Sequence, residues 1–163
     1  MTESTPNPPP SPGRVHQISV SDGGVPKHAV LGAVVDAQGV SGDRQRDLRH
    51  HGGPDRAVCL LALEVIERLA AEGHPIVPGS TGENITVAGL DWDAVQPGTR
   101  FVFAGGVELQ VTSWAVPCRN IAGSFADGGI ARLHADADPR SSRAYARVLR
   151  GGTLGVGEAV RIA

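Results

Sequence analysis

Glycine and proline interrupt this chain 22 and 12 times in 163 residues, leaving little room between them for a long regular element. Proline lacks an amide donor and fixes its own φ, while glycine weakens a helix interior, so both punctuate a chain with turns. That argues against a helical bundle and for short strands joined by many loops. The length is enough to bury one sizeable core, so one domain with a tail is expected. A net charge of -2 and a pI near 6.3 give no general pull toward phosphate backbones or anionic lipid, so neither nucleic acid nor membrane is an expected partner. No apolar run reaches bilayer length. Two cysteines without a CxxC pair, and no leader with an apolar core, point to a reducing cytoplasm.

Residues 1–13, with prolines at 6, 8, 9, 10 and 12, cannot build a packed element and read as a disordered tail. The domain is expected over residues 14–163. The stretch from Val15 to Val20 has β character, and Asp22-Gly23-Gly24 supplies a turn. From Ala29 to Val40 a strand is broken by a bend at glycine. Leu61, Val65, Ile66 and Leu69 share one face at helical spacing, which predicts a helix over 61–72 with Glu64 and Arg68 as an exposed i,i+4 pair. Strands are expected at Asn84–Val87, Phe101–Phe103 and Val107–Thr112, the last two as a hairpin. Tyr145–Leu149 and Glu158–Ile162 read as closing strands around Gly151-Gly152.

Two cysteines differ in setting. Cys59 lies in the apolar run Ala57-Val58-Cys59-Leu60-Leu61 and reads as core packing. Cys118 lies in Trp114-Ala115-Val116-Pro117-Cys118-Arg119, directly after a strand, where loops on a rigid scaffold collect chemistry. An adjacent cation lowers a thiol's pKa, which favours a reactive Cys118. The stretch Gly42–Arg56 packs four arginines and two histidines into fifteen residues, able to present forked donors to an anion, although charge runs are more often solvated loops. His50 and His51 are neighbours that point apart on an extended chain, so they are poor joint ligands for one metal ion. Gly79-Ser80-Thr81-Gly82-Glu83-Asn84 is a glycine-bounded turn whose Asn84 offers both donor and acceptor. No Walker or G-x-G-x-x-G pattern is present, and no histidine adjoins Cys118 in sequence to serve as its base.

Read in order, five stretches resemble the MOSC family, named for the C-terminal domain of molybdenum cofactor sulfurase. They are Gly39–Asp43, His50–Val58, Gly79–Leu90, Pro117-Cys118 and Tyr145–Leu149. Within that family the chain is similar to stand-alone bacterial proteins linked to resistance toward hydroxylaminopurine. Two departures stand out: Ala115 replaces an arginine common two positions before the proline, with Arg119 as its expected substitute, and Arg143-Ala144 replaces a Gly-Trp pair.

The resemblance implies a mainly β fold, a closed or partly closed barrel of the MOSC and pyruvate-kinase kind with a few short helices. It implies molybdenum cofactor (molybdopterin) as the bound group, with Cys118 as the catalytic cysteine and molybdenum ligand, and Lys27, Arg44, Arg49, His50, His51, Gly52, Asn84 and Arg119 as cofactor-binding residues. The implied reaction is reduction of N-hydroxylated amines or bases to amines, with electrons from a flavin or iron–sulfur partner protein. Two alternatives remain open at this point: a non-catalytic carrier in which Cys118 bears persulfide sulfur or ferries the cofactor, and a structural domain with an inert thiol. Pyridoxal phosphate is not expected, because Lys27, the only lysine, sits in turn-like surroundings.

Overall fold

The computed structural model describes residues 12–44 and 52–163. Residues 1–11 of the expected tail, and Arg49, His50 and His51, lie outside the described residues. The glycine and proline punctuation produces eleven short strands and one short α-helix among those described. No described helix is long and apolar enough to cross a membrane.

The first strand, β1 (Gly13–Val20), starts two residues before the expected Val15 and carries a bulge between Val15 and Gln17. The interrupted stretch after it becomes β2 (His28–Val30), β3 (Gly32–Asp36) and β4 (Gly39–Val40). Next, β5 (Val58–Ala62) is buried on both faces, which is why its sequence is a continuous apolar run rather than an alternation. It passes without a loop into α1 (Leu63–Ala71), so Leu61 belongs to the strand and not to the helix that its spacing predicts. Val65, Ile66 and Leu69 face the core as expected, each worth about 1.5–3 kcal/mol relative to exposure. The expected Glu64–Arg68 pairing gives way to tertiary partners. Glu64 Oε1 accepts from the Gly89 N–H at 2.7 Å, and Arg68 donates to the Ser141 hydroxyl.

The remaining strands are β6 (Ile85–Ala88), the hairpin β7 (Arg100–Phe103) and β8 (Glu108–Trp114), then β9 (Ala144–Arg150), β10 (Gly152–Gly155) and β11 (Ala159–Ile162). The order β11-β7-β8-β9-β5-β6-β1 closes on itself where β1 pairs with β11 through Gly13↔Val160 and Arg14↔Ala159. The barrel expected from the family resemblance is therefore present and closed, which removes the unpaired edges an open sheet would expose. All neighbours are antiparallel except β5 and β6, whose parallel pairing requires the crossover that α1 provides. The second arm of the hairpin and Glu158–Ile162 take the expected places, whereas β10 leaves the barrel to form a second sheet with β3 and β4. The interior is filled by Phe101, Phe103, Leu60, Ile85, Leu109 and Ile18, all 1% exposed or less.

Candidate functional site

Barrel geometry sets one polar row. The pairings Ile18↔Ile85, Leu60↔Ile85, Cys59↔Tyr145 and Ser113↔Tyr145 place Ser19, Asn84, Cys59, Tyr145 and Ser113 abreast across β1, the residue before β6, β5, β9 and β8. Side chains alternate along a strand, so Cys59 and Tyr145 face away from Val58, Leu60, Ala144 and Ala146 of the interior. With Ala115 they form a small buried cluster separate from the main core. Cys59 is buried as expected, but on the face that carries the polar groups. Burial pushes its thiol up to about 11, with Arg143 opposing and Glu83 adding to the rise. Burial, then Cys59, likewise raise the Tyr145 hydroxyl, while Arg143 and Arg56 pull it down and Cys118 adds a small rise. The Arg56 guanidinium lies 6.0 Å over the Tyr145 ring.

On one side of Cys59 the polar groups close a circuit. Lys27 Nζ meets Asp43 Oδ1 at 2.6 Å, both side chains under 10% exposed. The same oxygen accepts from the Ser21 N–H at 2.9 Å, and Asp43 Oδ2 accepts from Asn84 Nδ2 at 2.9 Å. Asn84 Oδ1 accepts from the Cys59 N–H at 3.0 Å. Gly79 must be glycine here: its φ is +86°, and a Cβ would fall 2.6 Å from the Lys27 carbonyl that its own loop abuts. The turn Gly79–Asn84 is thus a built element rather than a plain connection.

On the other side, Arg143 is 4% exposed and donates Nη1 to the Thr81 carbonyl at 2.5 Å. Its Nε is buried with no hydrogen-bond partner. Glu83, fully buried, accepts from the Gly79 N–H at 2.5 Å through Oε1 and from the Thr81 hydroxyl through Oε2. Burial raises its carboxyl above the ordinary range, against the pull of those bonds and of Arg143.

Cys118 is half-buried on the loop leaving β8, at the cap of the 3-10 turn Arg119–Ser124, as its sequence position suggests. That loop is tied down at both ends: the Ala115 N–H donates to the Arg143 carbonyl at 2.8 Å, and the Ser124 hydroxyl donates to Ser80 Oγ at 2.9 Å.

Of the residues named from sequence, Lys27 and Asn84 come together through Asp43. Arg44 is on the surface, with Asp22 3.8 Å away and both side chains exposed, a pairing worth little. Gly52 begins the second described stretch, with φ +89°. Arg119 is exposed, and the residue paired with Ala115 is Arg143, just before β9, whose carbonyl accepts the Ala115 N–H. Arg143, Glu83, Asp43, Tyr145 and Cys59 were not singled out as site residues. The signal that could have found Arg143 is its i,i+2 spacing from Tyr145, just ahead of β9.

A cleft of about 350 Å³ bounded by Trp92, Asp93, Gln96, Trp114 and Arg140 contains none of the candidate site residues named from sequence. Its Trp92 indole packs flat against Phe101, with ring centroids 6.1 Å apart.

The MOSC domain model matches residues 47–161. This chain belongs to the MOSC domain family. The family is associated with molybdenum cofactor binding. Over 87 residues the chain is 39% identical to the uncharacterized protein YflK of Bacillus subtilis (strain 168), covering 52% of this chain and 38% of that protein. The match therefore spans about two fifths of the relative's length. Among solved structures, YiiM from Geobacillus stearothermophilus superposes with a TM-score of 0.71 at 26% identity, over 93% of this chain and 75% of that one. The YUAD protein from Bacillus subtilis superposes with a TM-score of 0.69 at 17% identity, over 92% and 94%, a likeness of fold alone.

Proposed function

We propose that this protein binds molybdenum cofactor and reduces N-hydroxylated amines or bases to the amines, with Cys118 as the protein's ligand to the metal. The observation that supports this reading is the placement of Cys118: a half-buried thiol on a loop anchored at both ends, one of its ties made to the backbone of Arg143, whose buried guanidinium has an unused donor. The donor set suits the group. No cluster of three or more His, Cys, Asp or Glu gathers among the described residues, so a metal held at Cys118 would bring most of its ligands with it, as a dithiolene-bound metal does. A soft sulfur is a suitable last ligand for such a centre. When bound, the cofactor supplies the two-electron and oxygen-atom chemistry.

The chain's own part is orientation. The Ala115–Arg143 and Ser124–Ser80 hydrogen bonds hold the Cys118 loop in place, so the thiol meets its ligand without first ordering a loop. Tyr145, Cys59 and Ala115, the residue three before Cys118, pack together in a buried cluster. The overall reaction, R–NHOH plus two electrons and two protons giving R–NH2 and water, needs an external reductant, for which a flavin or iron–sulfur protein is the fitting class.

Cys118→Ser is expected to keep the fold by circular dichroism and to lose turnover of a hydroxylamine substrate. Molybdenum content of protein purified from a cofactor-competent host should fall with it. Equal molybdenum in wild type and Cys118→Ala would overturn thiolate ligation and leave the carrier reading, in which Cys118 holds persulfide sulfur.

A further inference from the structure

Arg143 is anomalous among the described residues. A guanidinium carries five N–H donors in a rigid fork, and this one, 4% exposed, uses a single η nitrogen on a single carbonyl, Thr81 O. Its Nε is sealed from solvent with no partner, and Nη2 bonds no described residue. Nor does any carboxylate of the described residues come within ion-pair distance of it. Glu83, the nearby acid, has both oxygens engaged by Gly79 and Thr81. A charge taken out of water without a partner is costly, so the arrangement is incomplete as it stands. The vacant Nε and Nη2 donors share one edge of the guanidinium, which is the geometry that grips two oxygens of one oxyanion at once.

The location gives that edge a use. The Arg143 carbonyl holds the start of the Cys118 loop through Ala115, and its Nη1 holds the Ser80–Glu83 turn through Thr81. Those two segments are themselves joined by Ser124 and Ser80. We propose that the Nε/Nη2 edge of Arg143 is a binding site for an oxyanion, the anionic end of the small molecule that engages Cys118. Lys27 does not fill this role, since Asp43 already neutralises it at 2.6 Å. The identity of the molecule rests on the cofactor reading, in which the oxyanion is the pterin's phosphomonoester. The oxyanion site itself does not need molybdenum.

Tyr145 supplies the readout, because it is the only tyrosine in the chain and its hydroxyl senses Arg143. Protein carrying ring-labelled tyrosine is titrated by NMR with sodium phosphate at constant ionic strength, with sodium chloride as control. Matched arms use a pterin phosphomonoester and the same pterin without phosphate. Wild type should show a saturable shift of the Tyr145 ring signals with phosphate and none with chloride. Arg143→Gln should weaken the apparent affinity by about tenfold or more, the loss expected for a charge-assisted pair. Arg143→Lys should fall between, since it keeps the charge without the fork. No saturable response in wild type, or an unchanged affinity in a folded Arg143→Gln or Arg143→Lys, would overturn the proposal. Should Arg143→Gln fail to fold, Arg143→Lys and the wild-type titration decide alone. Phosphate binding through Arg143 with no gain from the phosphorylated pterin keeps the oxyanion site and counts against the cofactor reading.

Discussion

Two polar clusters flank Cys59, built from similar groups to opposite ends. In the Lys27–Asp43–Asn84 cluster every charge has a counter-charge and both carboxylate oxygens are taken. In the Arg143–Glu83 cluster a cation and an acid lie near one another, yet each bonds the same turn instead, and Arg143 Nε is left orphaned. A complete network rigidifies and specifies a structure, whereas an incomplete one carries a standing cost. The first cluster fastens β1, β6 and the Asp43 loop together. The second is the one equipped to take a ligand.

The contrast can be broken by substitution. Asp43→Ala should be the most damaging change, at about 3–5 kcal/mol by urea unfolding, because it strands Lys27 as an uncompensated buried charge. Arg143→Gln should cost only about 1 kcal/mol, the net worth of its one hydrogen bond, since an unsatisfied donor leaves with it. Equal losses would erase the distinction. Cys59→Ser sits between the clusters and should cost about 1–3 kcal/mol through a buried hydroxyl without a ready partner, while activity per folded molecule survives. The paired thiols sharpen this further. A thiol reagent at mild alkaline pH should label Cys118 in the native fold and leave Cys59, buried with its thiol pushed up to about 11, unlabelled until unfolding.

The smallest expected effect is pH-dependent. Glu83's carboxyl is raised by burial, so its protonated form is the one the fold favours. Its contribution to stability is fully present below the unfolded carboxylate value and is lost as pH rises through the folded one. The difference in Tm between Glu83→Gln and wild type should therefore widen in favour of the variant from pH 4 toward neutrality. A constant difference across that range would mean that Glu83 stays ionised.

How much was legible varies by element. The strand around Val111 alternates in sequence because one of its faces lies inside the barrel, so pattern alone located it. Pattern misplaced the start of α1, because β5 is buried on both faces and its apolar run merges with the helical one at Leu61. The i,i+4 rule paired Glu64 with Arg68, but Gly89 and Ser141, distant in sequence, took those side chains. Of the site, Cys118 stood out because proline, loop and family motif converge on it. Arg119 adjoins it in sequence and is exposed in the fold, and adjacency alone says nothing about which way a side chain faces.

What the amino-acid order determined by itself was the grain of the protein: short strands, many turns, one amphipathic helix and a thiol set directly after a strand, each a consequence of local backbone and side-chain preferences. What tertiary structure decided was which polar groups meet. Asp43 reaches Lys27 and Asn84, and Arg143 reaches Thr81, only because barrel closure and strand register bring segments 16 to 62 residues apart into hydrogen-bond range. Register acts between strands, so no pattern within a single strand could show that one of these cations would be neutralised and the other left open.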